Sequence, residues 1–307
     1  MPGWTPNPGL LYPGALGVSF PVMSRRKPER VAFQGELGAF SQEAVYKLLG
    51  EKAEVVPLPS FHEVFQSLKR KQVDAAVIPI ENSLAGSVHE NYDHLLQFDF
   101  RIVGETNVRI NHNLIALRGV RFRQIRRVYS HPVALGQCLR FFARYPRLEK
   151  VPFYDTAGSV KMIVEQRLTD AAAIASAVAA EIYKARILRR SIEDDRRNYT
   201  RFFLLRRAED ARSTRPPAAG SDRWKTSLVF TTRNIPGALF RALGAFALRD
   251  VNLTKIESRP LRGKPWEYLF YLDLIGHVEE PRVRNALSHL AELADFLRVL
   301  GCYPRGD

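Results

Sequence analysis

At 307 residues the chain is long enough for two domains or more. Its hydrophobic fraction of 46% and charged fraction of 25% are ordinary for a soluble globular protein, and no apolar run is long enough to span a bilayer, so a membrane role is not expected. Two cysteines, Cys138 and Cys302, stand far apart without metal-ligand spacing. They argue against a disulfide framework or a zinc site and fit a reducing, cytoplasmic setting. The net charge of +14 raises nucleic-acid binding as a possibility. The basic residues are dispersed, however, at 25–27, 121–127, 186–197 and 206–215, and are not interleaved with aromatics. A basic solvated surface is the expectation, with no nucleic-acid partner.

Residues 1–29 are rich in Gly and Pro, with no positive segment ahead of the weakly apolar part. They read as a disordered leader, or as a start placed upstream of a true initiator at Met23. A short apolar strand at 31–33 follows, then a glycine-containing loop, then a helical pattern at 42–49 that Gly50 stops, with Ser41 expected as its cap. Strand, loop and helix start make an anion-receptive junction. Residues 61–71 predict an amphipathic helix with Phe61, Val64, Phe65 and Leu68 on one face. A buried strand at 75–80 ends in Glu81, Asn82 and Ser83, and a helix runs through Leu96. A strand at 101–108 leads to the polar cluster Asn111, His112 and Asn113.

A strand at 128–130 ends in Ser130 and His131, and Pro132 starts a helix expected to run to Ala143 with Cys138 inside it. A strand at 151–154 leads to Asp155, Thr156 and a helix to Gln166; one at 171–174 leads to Ser176 and a helix to Lys184. No nucleophilic triad is present. Residues 187–192 read as a further strand, and 198–205 set Thr200 beside Arg201 before an apolar run. Strand, small polar loop and helix thus recur from 31 to 184, which predicts a mainly parallel α/β fold. Ligands in such sheets sit beyond the carboxyl ends of the strands. Two lobes around a cleft are expected, the chain returning to the first near Asn198, with helix starts and hydroxyls receiving a small anion.

Residues 208–223 are rich in Pro, Gly and Ser and read as a linker. Beyond it the pattern is strand 226–232, helix 236–248, strands 251–258 and 266–275 around a turn at 263–265, helix 280–293 and strand 296–300. This βαββαβ order is the ferredoxin-like plan.

Several of these stretches carry a family resemblance: FQGELGAFS at 33–41, PIENS at 79–83, SHP at 130–132, DTA at 155–157, TRF at 200–202, GALF at 237–240 and ESRP at 257–260. In this order they make the chain resemble prephenate dehydratases with a C-terminal ACT regulatory domain. The variants Gln34, Gly35, Gly38 and Ala39 also look like plant-type arogenate dehydratases. The resemblance implies a bilobal α/β catalytic domain like the type II periplasmic binding proteins at 30–207, and a ferredoxin-like ACT domain at 224–304. It implies decarboxylative dehydration of prephenate to phenylpyruvate in phenylalanine biosynthesis, without cofactor or metal. Thr200 would donate to the leaving hydroxyl, and Arg201 would bind a substrate carboxylate. The plain alternative for Arg201 is a salt bridge that holds the return crossing. Ser41, Asn82, Ser83, Ser130, His131, Thr156 and Phe202 would line the cleft.

The resemblance further implies feedback by L-phenylalanine at an interface between ACT domains, and a homodimer or homotetramer. Gly237, Ala238, Leu239, Phe240, Asn252, Glu257, Ser258, Arg259 and Pro260 are the implied effector residues. Arogenate dehydratase and a non-catalytic amino-acid sensor are the rival readings.

Overall fold

The computed structural model describes residues 28–211, 223–261 and 267–306. The leader up to residue 27, the Met23 start, linker residues 212–222 and the turn at 263–265 lie outside the described residues. The first lobe comprises β1 (Arg30–Gln34), α1 (Phe40–Leu49), β2 (Glu54–Leu58), α2 (Phe61–Lys69), β3 (Ala75–Asn82), β4 (Gly86–Ser87), α3 (His89–Gln97) and β5 (Phe100–Arg109). The second holds β6 (Asn113–Ala116), β7 (Arg127–Ser130), α4 (Pro132–Gly136), α5 (Leu139–Arg144), β8 (Glu149–Pro152), α6 (Thr156–Glu165), β9 (Ala171–Ala175), α7 (Ala177–Ile182) and β10 (Arg186–Arg189). The chain then re-enters the first lobe as β11 (Tyr199–Arg207). The C-terminal unit is β12 (Trp224–Thr232), α8 (Ala238–Ala247), β13 (Leu253–Pro260), β14 (Tyr268–Ile275), α9 (Pro281–Leu293) and β15 (Ala294–Pro304), the expected βαββαβ order.

Local chemistry accounts for the helix starts. Ser60 caps α2 by accepting from the Glu63 amide, and Val64, Phe65 and Leu68 are buried on one face. Asp155 caps α6 and Ser176 caps α7 in the same way. The start of α1 differs from expectation. Ala39 is its cap, Ser41 lies inside the helix, and the Gln42 side chain reaches back to accept from the Gly38 amide at 2.7 Å. The helix expected from Pro132 to Ala143 is broken into α4 and α5 at Gln137 and Cys138.

Each lobe is built on one sheet, and both sheets are mixed rather than mainly parallel. In the first, β2, β1 and β3 are parallel, and β11 runs antiparallel between β3 and β5. The reason is the double crossing. β5 leaves the lobe at its C-terminal end, so the returning chain enters β11 at that same end. In the second, β8, β7 and β9 are parallel, and β6 runs antiparallel between β9 and β10. β2 carries Pro57 and lies at the edge of its sheet, where a missing N–H is tolerated.

The C-terminal sheet, in order β13-β14-β12-β15, continues into the first lobe through β15 against β5. The join is the pairing of Gly301 with Ile102, where a Cβ on Gly301 would lie 2.2 Å from the Ile102 carbonyl oxygen. Only glycine permits that approach. One apolar core is common to both units: Phe65, Ile78, Phe203 and Leu205 pack with Val229, Tyr271, Leu300 and Tyr303. The C-terminal unit is therefore docked on the back of the first lobe.

Candidate functional site

Between the two lobes lies a cavity of about 540 Å³. Five of the residues expected from the sequence line it: Asn82, His131, Thr156, Thr200 and Phe202. Thr200 and Asn82 face each other on paired strands, in register. The Asn82 amide nitrogen donates to Thr200 Oγ1 at 2.9 Å and to Asn198 Oδ1 at 2.7 Å. Its oxygen accepts from the Leu84 and Ala85 amides, at 3.0 and 2.8 Å, and from Gln137 Nε2 at 3.4 Å. Gln137 Oε1 in turn accepts from Asn198 Nδ2 and from His112 Nε2, both at 2.9 Å. A neutral amide and hydroxyl network thus ties the first lobe, the second lobe and both crossings together. Since Thr200 Oγ1 is occupied as an acceptor, its own proton is available for donation into the cleft.

His131 begins α4, and its Nδ1 accepts from the Val133 amide at 3.3 Å. The neutral ring therefore carries its proton on Nε2, as a donor on the cavity wall. Burial pushes the His131 pKa below the ordinary histidine value, against an upward pull from Asp155. Burial also lowers His112. Asp155 accepts from the Gly158 amide at 2.8 Å and from the Glu36 amide at 3.2 Å. Burial nonetheless raises its carboxyl above the usual range. The Tyr154 hydroxyl bonds Glu36, and burial together with that carboxylate pushes it up to about 12. Thr156 opens α6, whose first-turn N–H groups carry partial positive charge at the cleft. Among the described residues that line the cavity there is no lysine or arginine.

The structure places Arg201 elsewhere. On a strand successive side chains alternate, so Thr200 and Phe202 face the cleft and Arg201 faces away. Its guanidinium pairs with Glu105 and with Asp273 of the C-terminal unit, each at 2.6 Å. Burial works against its charge, and Asp273, Tyr303 and Glu105 overcome that, holding its pKa above the ordinary arginine value. The salt-bridge alternative describes this residue. Ser83 is a staple: its Oγ donates to the Arg197 carbonyl and accepts from the Tyr199 amide, both at 3.0 Å. Ser130 is fully buried and donates to the Ile174 carbonyl at 2.7 Å, and Ser41 is buried within α1. None of these three lines the cavity. Gln137, His112, Tyr154, Asp155 and Glu90 do, and sequence reasoning did not select them for the site. Cys138 is buried and its thiol pKa is raised by that burial, which suits no nucleophile.

The implied effector residues lie on separate elements. Gly237, in the left-handed region at φ 76°, leads into α8 through Ala238, Leu239 and Phe240, and Phe240 is 81% exposed. Asn252 precedes β13, and its carbonyl accepts from the Ile275 amide at 2.9 Å. Along β13, Ser258 and Pro260 are exposed while Glu257 and Arg259 turn to the first lobe. Ser87 donates to Glu257 at 2.9 Å, and Arg259 pairs with Asp93 at 3.4 Å.

The family model for prephenate dehydratase matches residues 31–210, and that for the ACT domain matches 226–292. The chain is 46% identical over 285 residues to an Arabidopsis thaliana protein named arogenate dehydratase/prephenate dehydratase 2, chloroplastic, covering 90% of this chain and 72% of that one. It is 45% identical over 290 residues to arogenate dehydratase 2 of Petunia hybrida, covering 90% and 71%. Among solved structures, the prephenate dehydratase of Arthrobacter aurescens in complex with L-Phe superposes with TM-score 0.81 at 31% identity, covering 90% of each chain. GqqA, described as a novel type of quorum quenching acylase, superposes with TM-score 0.80 at 34% identity, covering 90% and 97%. The cytoplasmic expectation is corrected here: the Arabidopsis relatives are named chloroplastic.

Proposed function

This chain belongs to the prephenate dehydratase family and performs that family's decarboxylative dehydration, converting prephenate to phenylpyruvate, water and carbon dioxide; we propose that Thr200 is its proton donor. The observation that carries the assignment is Thr200 Oγ1 on the cavity wall, accepting from Asn82 at 2.9 Å with its proton left to donate. The ring hydroxyl must leave as water, and the ring carboxylate must leave as carbon dioxide. Aromatisation drives the step, so the protein has to orient the ring and supply one hydrogen bond at the departing oxygen. A threonine hydroxyl is a weak acid, and the amide network that fixes its rotamer supplies the preorganisation.

His131, through Nε2–H, and the α6 start at Thr156 receive the substrate carboxylates in place of Arg201. Phe202 contributes an apolar wall. The catalytic domain is proposed to span 30–207 and the ACT domain 224–304. L-phenylalanine, which the Arthrobacter relative holds, is proposed to bind between ACT domains of a homodimer or homotetramer. The 81% exposed Phe240 and 80% exposed Leu248 on or beside α8 support that pairing.

A second reading, preference for arogenate, is favoured by a specific feature. The cavity wall carries Glu90 and Asp155 and, among the described residues, no lysine or arginine. Such a wall accommodates the ammonium of arogenate better than a wall of cations would. Turnover measured separately with prephenate and arogenate tests both readings. Formation of phenylpyruvate from prephenate supports the first, and a higher kcat/KM for arogenate the second. Failure on both substrates refutes the assignment of Thr200.

A further inference from the structure

The strand pair that carries Thr200 and Asn82 has a second face. One residue along each strand, Arg201 and Glu81 are also register partners, and they point to the opposite side of the sheet. Across from them in the C-terminal unit stands another register pair, Lys255 on β13 and Asp273 on β14. The two pairs meet crosswise. Lys255 Nζ lies 3.0 Å from Glu81, and Arg201 lies 2.6 Å from Asp273. The side chains of Arg201 and Asp273 are 12% and 7% exposed, so water screens that pair weakly, while Lys255 at 10% meets the more open Glu81 at 37%. Lys255 also donates to Ser87 at 3.1 Å, and Ser87 lines the cavity.

We propose that Glu81, Arg201, Lys255 and Asp273 form a crossed ion quartet through which the C-terminal unit sets the position of Thr200 against Asn82. The four are positioning residues, acting through the backbone of β3 and β11. One ion pair grips each strand, and the polarities are opposite. A shift of β13 relative to β14 therefore pulls β3 and β11 by different amounts. That shear acts on the Asn82–Thr200 bond, because the residues gripped are immediate chain neighbours of the residues that make it. The quartet is also fixed at its C-terminal side. Ser227 donates to Asp273 and contacts the Tyr303 hydroxyl, and Tyr303 is fully buried in the core common to both units. The inference rests on the reading of Thr200 as proton donor.

The test uses the full chain carrying Lys255→Met, Glu81→Gln and both together, with Lys255→Arg as the conservative variant. Turnover is measured with prephenate and arogenate, and backbone amide exchange across residues 199–202 is followed by mass spectrometry without substrate. Each single change is expected to lower kcat about tenfold with KM changed less than about twofold, and the double variant to fall no further than the worse single one. Exchange at 199–202 is expected to quicken in all three, and Lys255→Arg to restore most of kcat. Additive losses, or kcat and exchange both unmoved while only the melting temperature drops, would make the quartet a simple clasp and overturn the proposal. Wild-type inactivity on both substrates would instead sink the Thr200 reading, and the exchange result would still decide the quartet.

Discussion

The two faces of one strand pair do different work. The face toward the cleft is neutral: Asn82 and Thr200, joined through Gln137 and Asn198, hold a single hydroxyl in place. The reverse face is ionic: Glu81 and Arg201 meet Lys255 and Asp273, with Glu105 and Lys225 beside them. A fixed charge against the reacting ring would bind substrate and product alike, whereas an oriented hydroxyl acts at the departing oxygen. Charges on the reverse face are shielded from the substrate and can couple two domains. The period of the strand is what separates chemistry from coupling.

The largest effect is expected from breaking the ionic face. Asp273→Ala leaves the Arg201 charge buried without one of its two carboxylates, and removing one partner of a buried pair costs about 3–5 kcal/mol. Denaturant unfolding should show that loss in the midpoint. The matching blow to the neutral face is Gln137→Ala, which removes the bond to Asn82 and the acceptor of His112 and Asn198. It should lower kcat roughly 100-fold, the order that oriented donors are worth, and lower stability by about 1–3 kcal/mol because the buried His112 and Asn198 donors lose their acceptor.

Arg201→Lys sharpens the comparison further. An arginine that clamped a substrate carboxylate would raise KM on becoming lysine. Here KM should stay within about twofold while stability falls by about 1–2 kcal/mol as the two-carboxylate contact is lost.

The smallest effect is in the pH dependence of stability. Burial holds the folded-state pKa of His112 and His131 below the ordinary value. Between the two values the unfolded chain binds more protons, so stability rises with pH there. The contribution is fully present above the unfolded value of about 6.5 and is lost as pH falls through the lower folded values. Melting temperatures between about pH 5 and 8 should follow that sign, and His112→Gln should flatten the acid side.

Much of this was legible in the sequence because the signals are local. The βαββαβ order follows from alternating and helical apolar periods, and Asn82, His131, Thr156 and Thr200 stand where strands give way to loops or helix starts. Arg201 was readable too. Three consecutive strand residues cannot share a face, so placing Thr200 and Phe202 in the cleft already turns Arg201 away. Gln137 was hidden because the pattern after Pro132 reads as one helix, and only the break before α5 makes it a C-cap facing Asn82. His112 and Asn198 sit in the two crossings, and their meeting is a through-space fact that no periodicity carries. The strands β2 and β6 are short, one with a proline at the sheet edge and the other behind a polar cluster, and neither offers a long enough alternation.

The most direct test of the account is turnover of wild type, Thr200→Ser and Thr200→Ala with prephenate and with arogenate, alongside their melting temperatures. The expected result is product from the wild type, retained activity with Thr200→Ser, and a loss of roughly 10²-fold or more in kcat with Thr200→Ala at an unchanged melting temperature. Undiminished turnover by Thr200→Ala would contradict the account, because the hydroxyl at the centre of the cleft network would then have no part in the reaction.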